Sequence, residues 1–212
     1  MRVNCPELEC SECCRRYWIC LLPQEAKKIS RKLRIPEKEF IRKHCALVAH
    51  LYPRAEKPSQ LAVSSAFLPA KISKFVKAQL GMLPPYFSVL PYIALRRNSR
   101  GECVFLKKNL CKIHGFLPAI CGLFPFVAES GKALKDIYPF CLFLQQKGLG
   151  NLTGKLDETY RKKTFAYFDS LQKKSFPRIW PALPLRGIVL LEGEKELAIS
   201  KKEFLQLTQH IL

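Results

Sequence analysis

Apolar residues recur at helical spacing in the first fifty residues. Pro23 can open a helix, and Ala26, Ile29 and Leu33 then fall on one face of it. A second short helix is predicted over 36–48, with basic residues opposite its apolar side. That apolar side consists of Phe40, Ile41, Cys45 and Val48.

The rest of the chain has fewer clear helical patterns. Residues 72–80 give the one convincing helix between 52 and 91, and a strong amphipathic helix is predicted over 156–171. The runs 188–191 and 197–199 predict a hairpin, and Ser200 with Glu203 forms a capping box that opens the last helix.

Short apolar runs replace the helical pattern in the middle of the chain. The runs 92–95 and 103–106 flank the turn-forming residues 98–101 and predict a hairpin. A second turn at 107–109 leads to Cys111.

These elements predict an α+β fold in two parts. Cysteine disappears beyond the glycine-containing segment 148–154, which we take as the boundary. Residues 1–147 are predicted to form a small, mostly helical cysteine-cluster domain with a short hairpin. Residues 148–212 are predicted to form a C-terminal helix-hairpin-helix appendage that serves as scaffold.

Composition indicates a globular protein with a metal. The chain has 212 residues, of which 48% are hydrophobic, enough for a packed core. Its N-terminus lacks the pattern of a secretory signal, and the apolar stretch 80–95 is too short and too rich in proline to span a membrane, so we expect a cytoplasmic protein without a transmembrane segment. Stable disulfides are rare in the cytosol, so ten cysteines there favour metal binding.

The net charge of +19 leaves the partner open. Such a surplus attracts nucleic acid, anionic membrane or an acidic protein, but here it is spread along the chain and is equally typical of solvated surface. A basic RNA-binding module therefore remains one alternative, without a recognisable RNA-binding motif to support it.

The cysteines fall into two groups. In the first, the spacing of Cys10 and Cys13 lets two sulfurs converge on one ion, and the arginines at 15 and 16 would favour thiolates. Each cysteine of the second group is as compatible with an inert buried thiol as with a ligand. Together they allow two four-thiol sites, or one cluster with further ligands. The candidate metal ligands are Cys5, Cys10, Cys13, Cys14, Cys103, Cys111, Cys121 and Cys141.

The order of these cysteines resembles the YkgJ-like CxxCxxCC cysteine-cluster family, a zinc- or iron-chelating domain. The resemblance rests on the groups 10–14, 103–106, 111–114, 118–121 and 124–126 with Cys141, and covers roughly residues 5 to 142. It implies that eight cysteines in this order form the site. Cys20 and Cys45 lie outside the order, and His114, where the family commonly has Tyr, is given a structural role.

The same family includes flagellin lysine N-methylase, which implies an iron-sulfur cluster used with S-adenosylmethionine. Two departures separate this chain from the family pattern. The first cysteine spacing is longer, from Cys5 to Cys10, and the usual arginines are replaced by Leu117 and Gly122.

We therefore predict a metal-binding protein that holds an iron-sulfur cluster, with 4Fe-4S favoured, or zinc. All-thiolate ligation suits both. The alternative is that the protein is an enzyme, an iron-sulfur-dependent lysine N-methyltransferase that uses S-adenosylmethionine. No catalytic residue and no physiological partner is identified from the sequence.

Overall fold

The computed structural model describes residues 10–57, 62–126, 132–152, 187–192 and 195–209, with residues 158, 159, 162, 163 and 166. The helices are α1 (Glu12–Arg16), α2 (Pro23–Lys32), α3 (Glu37–His44), α4 (Ala70–Leu80), α5 (Ala119–Leu123), α6 (Leu134–Ile137), α7 (Leu142–Gln146) and α8 (Lys201–Thr208). The strands are β1 (Cys20–Leu21), β2 (Cys45–Arg54), β3 (Ala62–Ser64), β4 (Tyr86–Leu95), β5 (Leu106–Lys107), β6 (Leu110–Cys111), β7 (Ile188–Glu192) and β8 (Lys195–Ile199).

The chain divides into two units, each made of two separate stretches. The first unit comprises Met1–Glu37 and Leu95–Phe168, and the second comprises Lys38–Ala94 and Asp169–Leu212. Every predicted ligand cysteine belongs to the first unit. The boundary predicted at 148–154 stays a prediction.

The second unit is a sheet covered by helices. Its strands follow the order β4-β2-β7-β8, with β3 paired antiparallel to β4. Strand β7 runs parallel to β2 and antiparallel to β8. The core is formed by apolar side chains of these strands and of α4 and α8, among them Val63, Ile72, Phe87, Leu190, Phe204 and Leu207.

The first unit consists of short elements joined by turns. Helix α2 buries Ala26 and Ile29, as its periodicity predicted. Strands β5 and β6 pair antiparallel around Lys108 and Asn109, which both have positive φ. This hairpin confirms the turn predicted before Cys111.

Several predicted elements need correction. The helix expected over 36–48 ends at His44, and the apolar run that follows forms β2. Residues 92–95 form the end of β4. The segment 103–106 was predicted to pair with them, but its β-bridge joins Cys103 to Arg97, beyond the end of that strand. The turn between them is present, because the Gly101 N–H donates to the Asn98 carbonyl over 2.9 Å.

The mixture of helices and sheet confirms the α+β class, but the expectation of a mostly helical cysteine-cluster domain is wrong. The ten-residue strand β2 occupies a stretch predicted as helix as far as residue 48. The ten-residue strand β4 begins at Tyr86, ahead of the run 92–95 that was predicted as part of a hairpin. The C-terminal hairpin and the capped last helix are present. The helix predicted over 156–171 lies largely outside the described residues, so a helix-hairpin-helix appendage is not shown.

Within the described residues, no helix combines the length and apolar character needed to cross a bilayer.

Candidate metal centre

The described thiols of the predicted ligand set come from five positions along the chain. Cys13 and Cys14 lie in α1, and Cys10 precedes that helix. Of the remaining four, Cys103 pairs with Arg97 in a β-bridge and Cys111 ends β6. Cys121 lies in α5, and Cys141 precedes α7. All seven are free thiols. Cys5 lies outside the described residues.

A backbone contact joins the two cysteine groups. The N–H of Cys103 donates to the carbonyl oxygen of Cys14 over 2.8 Å, although 89 positions separate the two residues by the numbering. Arg97 pairs with Cys103 and donates from its guanidinium to the carbonyls of Gly101 and Arg15. The turn at 98–101 is therefore fixed against the C-terminal end of α1.

Cys13 and Cys14 influence each other's ionisation. A hydrogen bond from the Cys14 thiol lowers the pKa of Cys13, and the same hydrogen bond raises the pKa of Cys14. A hydrogen bond to the charged form stabilises that form. Cys13 therefore loses its proton more readily than Cys14.

The other thiols are affected by Cys13. Burial raises the pKa of Cys103 to about 11, and it also raises the pKa values of Cys111, Cys121 and Cys141. In all four cases negative charge on Cys13 adds to the increase. Such Coulomb effects act between groups a few ångströms apart. The thiols from five chain positions consequently form one interacting cluster. Cys10 belongs to it because its charge also raises the pKa of Cys141.

The described thiols interact with one another, but they are not positioned as the ligands of a metal ion. In the part of the chain that the structure describes, no three His, Cys, Asp or Glu side chains are placed so that they could hold a metal ion. The donor chemistry nevertheless fits thiophilic metals, because thiolates bind zinc and iron once they lose their protons. The eight-cysteine ligand set stays a prediction.

Two cysteines outside the predicted set differ from these thiols. Burial raises the pKa of Cys45 to about 12, and this residue is fully buried in the second unit. Burial, followed by the carboxylate of Glu25, raises the pKa of Cys20 to about 12. Cys45 is thus a core residue, in agreement with its apolar position in the sequence pattern.

Aromatic rings lie beside the thiols. Tyr17, Phe124, Tyr138 and Phe140 are in mutual contact, with centroid separations from 4.7 Å for Phe124 and Tyr138 to 6.4 Å for Phe124 and Phe140. Cys141 directly follows Phe140, and the N–H of Tyr17 donates to the carbonyl of Cys13 over 3.0 Å. The aromatic group therefore adjoins two of the cysteine-bearing segments.

Two charged residues connect the cysteine segments. The sequence analysis did not identify either of them as a structural contact. Glu25 accepts from the backbone N–H groups of Leu22 and Ala119. Arg15 reaches Glu102 and Asn109. The only local signals were the position of Glu25 in the first helical turn and that of Arg15 after the cysteines, and neither reveals a long-range contact.

Comparison with known proteins gives one significant result. A family model named CxxCxxCC and described as a putative zinc- or iron-chelating domain matches residues 4–142. That range includes all the predicted ligand cysteines. No curated protein and no solved structure matches significantly.

Proposed function

The chain belongs to the CxxCxxCC family, and on that premise we propose that the thiol cluster of its first unit binds a metal centre, either an iron-sulfur cluster or zinc. One observation carries the proposal: Cys13 interacts electrostatically with thiols from four distant chain positions, Cys103, Cys111, Cys121 and Cys141. Reduced thiols gathered in this way repel one another when they ionise. A bound cation would offset that repulsion.

The proposed ligands are the seven described thiols of the predicted set together with Cys5; Cys20, of the same unit, is not among them. Thiolate ligation suits tetrahedral zinc and also Fe-S clusters, which are held by four cysteines. When bound, zinc would supply structural cross-linking of the segments, whereas a cluster would also supply a redox centre. The protein's own contribution is to position the thiols and to exclude water from them.

Within this proposal the iron-sulfur cluster, of the 4Fe-4S type, is the favoured centre. Its support is the resemblance to the family that includes flagellin lysine N-methylase. The number of thiols exceeds the four that one tetrahedral zinc ion requires. The surplus is compatible with two sites, or with one cluster and additional thiols.

The deciding experiment is anaerobic purification of the full chain, followed by iron, zinc and acid-labile sulfide analysis and a visible spectrum of the same sample. Brown protein with equal iron and sulfide establishes the cluster. Colourless protein with zinc alone establishes the zinc alternative. Protein that contains neither metal, after purification and after anaerobic reconstitution, contradicts the proposal.

A matched pair of variants relates the metal to the thiols. Cys121→Ala removes a thiol that interacts with Cys13, Cys103 and Cys111. Cys20→Ala removes a partly buried thiol of the same unit that lies outside the predicted set. We expect metal content to fall in the first variant and to stay at the wild-type level in the second.

A further inference from the structure

Arg15 connects α1 to two turns that are distant in sequence. Its Nε donates to Glu102 Oε1 over 3.2 Å, and its Nη2 donates to Asn109 Oδ1. Its Nη1 donates within the helix, to Ser11 Oγ and, over 3.4 Å, to Glu12 Oε1. One guanidinium therefore contacts three separate parts of the chain.

Each of these contacts lies next to predicted ligand cysteines. Arg15 directly follows Cys14, Glu102 directly precedes Cys103, and Asn109 lies two residues before Cys111. The main chain strengthens the same connection, because the Cys103 N–H donates to the Cys14 carbonyl and Arg97 donates to the Arg15 carbonyl. Arg15 is thus placed to fix the relative positions of three cysteine-bearing segments.

The acidic partner of Arg15 is itself held in place. Glu102 Oε2 accepts from Asn98 Nδ2 over 3.1 Å and from Arg100 Nε over 3.0 Å, and its side chain is 14% exposed. The Glu102 N–H also donates to Asn98 Oδ1 over 3.0 Å. Exposed ion pairs contribute little partly because their side chains lose conformational entropy when the pair forms. Less entropy is lost here, because Glu102 is already held by other contacts.

We propose that Arg15 is a positioning residue of the metal site: it holds the Cys103 and Cys111 turns against α1 and so slows release of the metal. The inference rests on the proposed metal-binding function and deepens it. The planar guanidinium suits this task, because its donors lie in a rigid fork and can reach two acceptors at once. A lysine offers a point charge on a flexible stem and lacks that geometry.

Arg16 provides a matched control, since a positive charge near thiolates could by itself strengthen metal binding. It is the next residue, carries the same charge and lies in the same helix. Its Nε contacts Glu12 Oε2 over 3.2 Å, and its guanidinium lies 4.6 Å from the centre of the Phe140 ring. Arg15→Ala and Arg16→Ala remove the same charge, but only Arg15→Ala removes the contacts with Glu102 and Asn109.

The first measurement is the rate at which metal-loaded protein releases its metal to a chromogenic chelator. Substitution of groups that orient metal ligands costs 10–100-fold in affinity, so we expect release from Arg15→Ala to be about tenfold faster than from wild type. We expect a smaller change, of about twofold, for Arg16→Ala, because its exposed ion pair with Glu12 and its contact with the Phe140 ring each contribute little. Arg15→Lys should resemble Arg15→Ala, since it keeps the charge and loses the fork.

The second measurement is amide hydrogen exchange of the metal-free protein, which reports on the positions of the turns independently of metal. Arg15→Ala should reduce protection in 97–112, and Arg16→Ala should leave it unchanged. Asn109→Gly serves if Arg15→Ala fails to fold, because it removes one of the two long-range contacts and glycine tolerates the positive φ of residue 109. Its loss of protection should be confined to 105–112.

The outcomes separate the two claims. Equal release rates from Arg15→Ala and Arg16→Ala overturn the positioning role, as does full rescue by Arg15→Lys, which would show that charge alone acts. Unchanged protection in Arg15→Ala, or in Asn109→Gly where that variant replaces it, overturns the positioning role as well. Wild-type protein that binds no metal overturns the proposed function, and the exchange experiment then still decides whether Arg15 fixes the two turns.

Discussion

The carboxylate of Glu25 accepts a hydrogen bond from the backbone N–H of Ala119, with an N···O distance of 2.7 Å. Its other oxygen accepts from the N–H of Leu22 over 2.8 Å. Leu22 precedes α2, and Ala119 is the first residue of α5, the helix that carries Cys121. One side chain thus satisfies N–H groups at the starts of two helices and fixes the helix of a predicted ligand.

We expect Glu25→Gln to accelerate metal release. Glutamine has one acceptor oxygen, so one of the two N–H groups loses its partner, at a cost of about 1 kcal/mol or about fivefold in rate. The same chelator assay measures the effect. Glu39→Gln is the matched control, because Glu39 occupies the equivalent position in α3 and pairs with the exposed Lys43. Equal release rates in the two variants would show that the Glu25 contact does not hold α5.

Cys45 should be chemically inert in the folded protein. Burial raises its pKa from 9.0 to about 12, which lowers the thiolate fraction at neutral pH about a thousandfold. We expect alkylation followed by mass spectrometry to leave Cys45 unlabelled in native protein and to label it fully in denaturant. Rapid labelling of native protein at Cys45 would contradict its assignment to the core.

The same residue predicts a dependence of stability on pH. The folded-state pKa is raised, so the contribution of Cys45 to stability is complete below the unfolded value near 9 and is lost as pH rises towards about 12. Cys45→Ala removes this contribution. Urea unfolding of both proteins at several alkaline pH values should therefore show a shallower decline for the variant.

The local pattern predicted those elements whose signal is contained in one short segment. Helix α2 follows from Pro23 and the spacing of Ala26 and Ile29, and α8 follows from its capping box. The run from Cys45 to Ala49 is apolar throughout, and such a run fits a buried strand as well as a helix. Its pairing with β7, which places Leu47 beside Ile188, decides for the strand, and that information lies 141 positions away in the numbering.

The candidate site shows the same division between local and distant information. Cysteine order predicted which thiols to consider, because clustered cysteines at such spacings are typical of metal sites. The contacts of Arg15 with Glu102 and Asn109 depend on turns that bring distant segments together. The sequence pattern indicated the turns themselves but not what they face.

Lys108 offers a test of the β5–β6 hairpin. Its φ of 48° lies in the left-handed region, where a residue with a Cβ atom is strained by about 1 kcal/mol or more. We expect Lys108→Gly to raise the free energy of unfolding of the metal-free protein by about 0.5 kcal/mol, since glycine's larger unfolded-state entropy offsets part of the gain. Lys112→Gly should lower it, because Lys112 is not among the described residues with positive φ. A loss of stability in both variants would contradict the turn conformation.

The last prediction concerns the C-terminal segment and the core of the second unit. Phe204 in α8 is 0% exposed and belongs to the cluster that includes Leu47, Ile72 and Leu190. Phe204→Ala should lower the free energy of unfolding by about 3–5 kcal/mol, because truncation leaves a cavity among residues from three other elements. The neighbouring Leu205 is 39% exposed, and Leu205→Ala should cost less than about 1 kcal/mol. Equal, small effects in urea denaturation would mean that α8 is peripheral to the second unit, whereas the expected difference would make α8 an integral part of its core.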